Sequence, residues 1–507
     1  MGSRDAQKPD VLIALFDCLR AQDFPGGPDP VPGMPFAEQL MAESFVFPRA
    51  VAPAPWTIPS HASVFTGLYP WENHVHAYRS LSLADSIPTL PERLAPLGYR
   101  SLSLSANPFV SPRFGLVRGF DEVAWGGWWE AFLRTPRDRA PNFQHGSTVE
   151  TPLSQDRTME WIRDGPLGDV LRSASQQSFR FPFALDAGSR ILQRMQFPEV
   201  GRTISQTPWI EHELGRWLGE RPADQPVFSF LNLTDTHEPY YPDPELTHGL
   251  REWWKLTRIR QDHANAVGGQ WAPTDEESRR LRELYRQMVR HLDVRLKGIV
   301  RALQDSGRWE NTLMFVTADH GQSLGEHGMM FHLLRVDEPL LRVPLWMRPP
   351  GGGGNGQRAR GWASLIDLFP TILQAAGAPS PGLPSAVPLR SLLDQDRPEP
   401  VFAMADGIVW DHIRSRFGKD REAVWDRPMI AAYQGSRKVV MTAAGEETQL
   451  FDIDADPREE RDLWPTSDVA VLDLASRARK VGGLMLQDGT QTVDREVEER
   501  LRSWGYI

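Results

Sequence analysis

The chain has 507 residues, 40% hydrophobic and 24% charged, a composition typical of a globular protein larger than one simple domain. Its 56 Lys and Arg against 66 Asp and Glu give a net charge of −10, which argues against nucleic acid as the main partner. The single cysteine, Cys18, excludes an internal disulfide, and no apolar run approaches the roughly 20 residues of a membrane span. The N-terminus lacks the apolar segment of a secretory signal, so we expect a cytoplasmic protein without a membrane partner; homo-oligomer formation stays open.

Four apolar runs have the pattern of buried β-strands, and they lie at residues 11–16, 100–105, 227–233 and 312–318. Helical segments separate them, at residues 34–43, 86–98 and, with the clearest periodicity, 276–307. Strands that alternate with helices predict an α/β fold, in which a mostly parallel central sheet is flanked by helices. Such sheets bind ligands outside the carboxyl ends of their strands.

The alternation of strands and helices fails in two places. Residues from about 125 to 225 contain few strand-like runs, so we expect an insertion there, with the Trp-rich segment 250–272 forming a lid beside it. After a helical segment at 364–377, the chain changes to prolines and short strand-like runs, at 401–405, 429–434, 438–443 and 449–453. We therefore predict a catalytic domain over residues 1–380 and a smaller C-terminal α+β domain over 381–507.

Acidic and histidine side chains follow the predicted strands. Asp17 ends the first strand, and Asp319 and His320 follow the fourth. A carboxylate at the end of an apolar strand is costly unless it is paired or bound to a cation. Together with the hydroxyl of Thr57, these residues are expected to hold one divalent cation. The histidine favours Mn²⁺ or Zn²⁺ over the all-oxygen sites typical of Ca²⁺.

The segment PWTIPSHASVFTGLYP, residues 55–70, resembles the signature of the sulfatase family, within the alkaline phosphatase superfamily. The family pattern is CxPSR followed by TG, with the cysteine matured to formylglycine. Here Thr57 stands in place of that cysteine and His61 in place of the arginine. Other segments resemble the family along nearly the whole chain, and they are PDVLIALFDCLR, NTLMFVTADHGQSLGEHG, RVPLWMRPPG, SLIDLFPTIL and LFDIDADPREERDL. The resemblance implies an alkaline-phosphatase-like fold, with Asp17, Thr57, Asp319 and His320 holding one metal ion beside the nucleophile.

The resemblance also implies roles for other residues. His237 looks like the family's substrate-contacting histidine, and His332 falls where a His or Lys faces the leaving oxygen, which suits a general acid. For His332 a structural role is equally open. Asn107 stands where the family has a lysine-bearing GKWH segment, and we expect it to bind substrate. His61, one helical turn after Thr57, would donate to the transferred group less firmly than an arginine.

These departures from the family pattern change the expected reaction. Threonine cannot form formylglycine by the known route, but it is the nucleophile in several phosphoester-cleaving relatives, where a metal activates it. We therefore expect a metal-dependent hydrolase that cleaves a small anionic phosphodiester, phosphonate ester or related ester through a phospho-threonine at Thr57. The alternatives are a sulfuric ester hydrolase, a phospho- or sulfo-group transferase to an alcohol, and a catalytically degenerate binding scaffold.

The number of metal ions is a separate expectation. Cys18 stands where many sulfatases have a second aspartate, and we expect it to be a packed, small apolar side chain. A second ion would draw on Asp235, His237 and His332. The short spacing between Asp235 and His237 favours a single ion, although it does not exclude a second.

Overall fold

The computed structural model describes residues 8–76, 80–125, 208–240, 261, 266, 271–379, 382–406 and 427–487. Most of the predicted insertion, and most of the predicted lid segment 250–272, lie outside these residues. The strands are β1 Asp10–Phe16, β2 Phe45–Val46, β3 Ala50–Val51, β4 Arg100–Ser105, β5 Glu122–Trp125, β6 Val227–Leu233, β7 Thr312–Thr317, β8 Ser323–Leu324, β9 Met330–Phe331, β10 Leu345–Arg348, β11 Ala363–Ser364, β12 Val401–Ala405, β13 Met429–Gln434, β14 Arg437–Thr442 and β15 Gln449–Asp452. The α-helices are α1 Pro35–Ala42, α2 Thr57–Thr66, α3 Pro70–Asn73, α4 Leu90–Leu94, α5 Pro208–Gly219, α6 Asp275–Asp305, α7 Glu338–Leu341, α8 Leu368–Ala375 and α9 Val469–Gln487.

A seven-stranded sheet forms the centre of the larger domain, in the order β2-β10-β7-β1-β6-β4-β5. The strands from β7 to β5 pair in parallel, whereas β10 and β2 are antiparallel additions at one edge. All residues of β1, β6 and β7 are buried, which explains why these strands are continuous apolar runs in the sequence. The four predicted strands correspond to β1, β4, β6 and β7, and the predicted α/β fold is confirmed.

The long helix α6 buries one apolar face in the main core and packs against α5 and α1. Its start is fixed by a capping box, in which the Thr274 hydroxyl accepts from the Glu277 amide and the Glu277 carboxylate accepts from the Thr274 amide. Helix α5 lies within the range predicted as an insertion, but it packs against α6, β4 and β6 as part of the helical layer. No helix in the described parts of the chain is both long and apolar enough to cross a membrane.

The C-terminal part of the chain forms a four-stranded antiparallel sheet, in the order β12-β13-β14-β15. Alternate residues of β13 pack on opposite sides. Ile430 and Ala432 join the apolar cluster that includes α9, whereas Ala431 and Tyr433 join a cluster that includes residues of the larger domain. The two faces of this small sheet are therefore both buried, one by its own helix and one by the catalytic domain.

A buried ion cluster lies between this sheet and the larger domain. Lys438 of β14 has a fully buried side chain, and its Nζ lies 2.6 Å from Glu459 Oε1 and 3.2 Å from Glu338 Oε1. It also donates to the carbonyl of Val336 at 2.6 Å, and the Tyr433 hydroxyl donates to Glu338 at 2.8 Å. Glu338 also pairs with Arg342 at 3.2 Å. Lys438 therefore joins β14 to residues 336–338 of the larger domain as a buried, paired charge.

Candidate active site

The loops after four neighbouring strands bring the predicted polar residues together. Asp17 follows β1, Asn107 follows β4, His237 follows β6, and Asp319 and His320 follow β7. These strands lie side by side and are parallel, so their carboxyl ends meet at one edge of the sheet. The loops are also joined directly, because the Thr236 hydroxyl donates to the Asp17 carbonyl at 2.6 Å.

Thr57 is the first residue of α2 and is 2% exposed. The preceding residue, Trp56, is extended, so the helix begins abruptly at Thr57. Gly67 ends the helix in the left-handed region at φ +70°, where an added Cβ would lie 2.5 Å from Leu383 and 2.9 Å from Phe369. The Thr57 side chain therefore lies at the positive end of the helix, which favours negative charge on its oxygen or on a bound anion.

Asn107 joins Thr57 to the carboxylate of Asp17. Its Nδ2 donates to Asp17 Oδ2 at 2.7 Å and to Thr57 Oγ1 at 3.3 Å, and its Oδ1 accepts from the Phe109 amide at 2.9 Å. The contacts with Asp17 and Phe109 hold the Asn107 amide in place, and the amide in turn contacts the threonine hydroxyl. The predicted role of Asn107 in substrate binding stays a prediction beside this positioning role.

The structure brings Asp17, Asp319 and His320 into one buried cluster. His320 Nδ1 bonds to the carbonyl of Gly321 at 2.9 Å, which places the ring proton on Nδ1 and the lone pair on Nε2. That Nε2 lies 3.4 Å from Asp319 Oδ2 and 3.7 Å from Asp17 Oδ1. Neither His320 Nε2 nor Asp319 Oδ2 has a hydrogen-bond partner among the described residues.

This donor set fits the divalent cation that the resemblance implies. Buried acceptor atoms that face one another are costly unless a cation lies between them. An imidazole whose second nitrogen is held by a carbonyl is the usual arrangement of a metal ligand. Asp17, Asp319 and His320 therefore suit a cation, and Thr57 lies beside them through Asn107.

The two carboxyl groups of this cluster have opposite pKa shifts. Burial and the charge of Asp17 raise the pKa of Asp319 well above its usual value. Burial also opposes ionisation of Asp17, but the charges of His237 and His320 and the hydrogen bond from Asn107 outweigh it, and the pKa of Asp17 is lowered. A bound cation would therefore favour the ionised form of Asp319 in particular.

His61 lies behind Thr57 on the same helix. Its Nδ1 is 2.9 Å from the Thr57 carbonyl and 3.6 Å from Asp319 Oδ2, and its ring packs edge-on against Phe230. Burial lowers the pKa of His61 to about 4, so the ring is neutral at pH 7. The predicted donation from His61 to the transferred group stays a prediction, and in the neutral ring the Nδ1 proton is directed to the Thr57 carbonyl.

Cys18 does not pack as an apolar side chain, and that expectation was wrong. Its Sγ lies 3.3 Å from Asp17 Oδ1, 3.7 Å from His332 Nδ1 and 3.9 Å from His320 Nδ1. The residue is fully buried and has φ +63°. The loop after β1 therefore turns this thiol into the polar site.

A hydrogen-bond network holds His332 and His237 beside that thiol. Gln322 Nε2 donates to Glu238 and to the Tyr240 hydroxyl, both at 2.6 Å, and His332 Nδ1 bonds to Gln322 Oε1 at 2.9 Å. The rings of His237 and His332 are 5.2 Å apart. Burial would lower the pKa of His237, but the charges of Glu238 and Asp17 outweigh it and raise that pKa.

Gln322 and Glu238 also belong to the site, although neither was predicted. Each is next to or near a predicted residue in the chain, since Glu238 follows His237 and Gln322 follows the DHG motif. That proximity was the available signal. The interpretation of Asp235 as a ligand of a second ion is not supported, because its carboxylate pairs with Arg295 at 3.0 Å, and Arg295 also pairs with Glu211.

The fold and this strand-end site define a metal-dependent ester hydrolase with an alkaline-phosphatase-like architecture. The family profile described as "Sulfatase" matches residues 9–378. The chain therefore belongs to the sulfatase family.

The most similar proteins include both sulfatases and hydrolases of phosphorus esters. The multifunctional alkaline phosphatase superfamily protein PehA of Trinickia caryophylli is 24% identical over 502 residues, which cover 93% of this chain and 94% of that protein. The choline-sulfatase of Rhizobium meliloti (strain 1021) is 24% identical over 475 residues, with 89% and 81% covered. The crystal structure of the phosphonate monoester hydrolase of Agrobacterium radiobacter has a similar fold, with a TM-score of 0.62 at 20% identity and 96% and 97% of the chains covered.

Proposed function

We propose that the protein cleaves a small anionic phosphorus ester, a phosphodiester, phosphonate monoester or related ester, with Thr57 as nucleophile. The observation that carries this proposal is the hydrogen bond from Asn107 to both Thr57 Oγ1 and Asp17 Oδ2. It holds a hydroxyl at a helix N-terminus, beside a donor set that suits a cation. No formylglycine is needed for such a hydroxyl to attack phosphorus.

The residues of the site have different roles in the proposed reaction. Asp17, Asp319, His320 and Thr57 would hold one divalent ion, which when bound supplies a Lewis acid for the threonine hydroxyl and the substrate oxygens. Thr57 Oγ1 gives its proton to solvent and forms a bond to phosphorus as the bond to the leaving oxygen breaks, and the leaving oxygen takes up a proton. Water then attacks the phosphorus, one of its protons returns to Thr57 Oγ1, and the bond between Thr57 and phosphorus breaks. His237 and His332, whose rings are 5.2 Å apart, would meet the charge of the substrate and its leaving oxygen.

A panel of substrates tests this function. Aryl phosphate monoesters and diesters, phosphonate monoesters and sulfate esters are each incubated with Mn²⁺, Zn²⁺ or Ca²⁺, with and without added alcohols. We expect turnover of phosphorus esters to exceed that of sulfate esters. Turnover of sulfate esters alone would favour the sulfuric ester hydrolase, and formation of alkyl phosphates from the alcohols would favour the transferase. A chain that takes up no divalent ion and turns over nothing would leave only the binding scaffold.

Replacement of Asn107 separates positioning from substrate binding. If its amide positions Thr57, Asn107→Ala should lower kcat by about 10²-fold and leave KM nearly unchanged. A misplaced Thr57 hydroxyl slows the attack on phosphorus but does not change how the substrate binds. Steady-state kinetics on the best substrate of the panel measure both constants. Asn311→Ala is the matched control, since Asn311 lies just before β7, at the opposite end of the sheet. A raised KM with unchanged kcat would contradict the positioning role.

A further inference from the structure

Tyr285 of α6 contacts the turn that follows β1, and the proposed function gives it no role. Its side chain is fully buried. The hydroxyl donates to the carbonyl of Cys18 at 2.9 Å and accepts from the amide of Arg20, also at 2.9 Å. Burial and the nearby charge of Asp23 raise the pKa of Tyr285 well above its usual value, so the hydroxyl keeps the proton that it donates. Both contacts of this hydroxyl are therefore made with the backbone of one turn.

This turn has a conformation that its own sequence does not favour. The Leu19 amide donates to the Phe16 carbonyl at 3.3 Å, so residues 16–19 form a tight turn. Cys18 is the third residue of the turn and has φ +63°. A positive φ at that position is usual for glycine or asparagine. A cysteine there is strained, and it persists only where the surrounding structure holds it.

Two hydroxyl groups hold the strained residue from either side. Thr236, from the loop after β6, donates to the carbonyl of Asp17 at 2.6 Å, and Tyr285 donates to the carbonyl of Cys18. These carbonyls belong to the two peptide planes that flank Cys18. Because φ and ψ of a residue describe the rotation of these two planes, the two hydroxyls together fix the left-handed conformation of Cys18.

The conformation of this turn determines how two carboxylates of the cation site are presented. Asp17 is the second residue of the turn. The Cys18 amide donates to Asp319 Oδ1 at 3.3 Å, and the His320 amide donates to the same oxygen at 2.9 Å. Asp319 Oδ2 has no hydrogen-bond partner among the described residues. The two amides therefore orient the Asp319 carboxylate so that Oδ2 is left for the cation.

We propose that Tyr285 is a positioning residue of the cation site, whose hydroxyl holds the turn after β1 so that Asp17 and Asp319 present their oxygens to one ion. The proposal rests on the proposed function and deepens it, because it names a group outside the site that sets the geometry of two ligands. A phenylalanine here would leave the Cys18 carbonyl and the Arg20 amide without this partner in the interior. The turn would then relax, and the Cys18 amide would rotate away from Asp319.

The test measures cation binding as well as turnover. Tyr285→Phe removes the hydroxyl and keeps the ring, which packs edge-on against the ring of Tyr240 at 5.5 Å. Metal-free, full-length chains are titrated with Mn²⁺, and calorimetry gives the Kd of the tightest ion. We expect Tyr285→Phe to raise this Kd by about tenfold or more, the usual effect of losing a contact that orients a metal ligand. On the best substrate of the panel it should also lower kcat more than it raises KM.

Tyr99→Phe is the matched control, because Tyr99 is also buried and its hydroxyl donates to the carbonyl of Pro9 at 2.8 Å, at the opposite end of β1. Both variants lose one buried hydroxyl and should lower the Tm, but only Tyr285→Phe should change the Kd for Mn²⁺.

The possible outcomes separate this proposal from the proposed function. A Kd for Tyr285→Phe within twofold of the wild-type value, in a wild type that binds Mn²⁺ and turns over substrate, would overturn the positioning role alone. A wild type that binds no Mn²⁺ and turns over nothing would overturn both. Thr236→Val removes the other hydroxyl that holds the turn, and it decides the question if Tyr285→Phe does not fold. It should raise the Kd in the same way, and an unchanged Kd would show that the held turn does not set the cation site.

Discussion

Replacement of Thr57 by alanine is expected to lower kcat/KM by about 10⁴-fold or more on the best substrate of the panel, because the attacking atom is removed. The described contact of its side chain is the long hydrogen bond from Asn107 at 3.3 Å. Loss of one such bond costs about 1 kcal/mol, so the variant should fold. Initial rates, with thermal unfolding as the check on the fold, measure the effect.

Thr57→Ser is the matched control for the nucleophile. It keeps a hydroxyl at the same position of α2 and should retain measurable turnover. Rapid acid quench of the wild type, followed by peptide mass analysis, should also place one phosphorus group of the substrate, with the substituent that does not leave, on Thr57. Thr57 would not be the attacking residue if the rate of Thr57→Ala were within tenfold of the wild-type rate. The same would follow if the phosphorus group were found on another residue.

The positions of Asp17, Asp319 and His320 were predictable from the sequence, because buried parallel strands have two clear signals. Their residues are apolar on both faces, and the chain becomes polar where each strand ends. The parallel arrangement then forces these ends to one edge. The same logic applies to His237 after β6. What the sequence could specify was therefore the edge of the sheet at which the polar residues collect.

Contacts made across the fold were not predictable in the same way. The surroundings of Cys18 depend on a positive φ and on His332, which lies 314 residues away in the chain. Gln322 acquires its role because Glu238 and Tyr240, from the loop after β6, and His332, which follows β9, all contact its amide. Asp235 has the residue type of a ligand, but Arg295 of α6 takes its carboxylate. Each outcome depends on the packing of distant segments, which local patterns do not encode.

Lys438 is the clearest case of such a long-range contact. In the sequence, Lys438 is an ordinary charged residue of a predicted strand. In the structure it lies on the face of β14 that packs against the larger domain, where Val440 is also buried. Burial would lower the pKa of Lys438, but Glu459 and Glu338 outweigh it and raise that pKa. Burial and the nearby acidic groups raise the pKa of Glu459 to about 7, although Lys438 opposes this.

Lys438→Met is expected to lower the free energy of unfolding by about 3–5 kcal/mol, because buried Glu459 loses its cation and Glu338 keeps only Arg342, while the volume of the side chain is kept. Urea unfolding followed by tryptophan fluorescence measures the change. The loss should be larger at pH 8 than at pH 6. Without the lysine the pKa of Glu459 rises further, so above pH 7 the folded variant keeps a proton on Glu459 that the folded wild type has released. The unfolded chain has lost this proton in both proteins. The free energy of unfolding of the variant therefore falls with pH above 7, whereas that of the wild type does not.

Arg437→Met is the matched control for this experiment. Arg437 is the neighbouring residue of β14, its side chain is 38% exposed and it pairs with Asp452. Such an exposed pair contributes about 0–1 kcal/mol, and the loss should not change between pH 6 and pH 8. Equal losses in the two variants would contradict the structural role of Lys438. Because Val336 and Glu338 lie in the segment between His332 and β10, we also expect Lys438→Met to lower turnover while Arg437→Met does not.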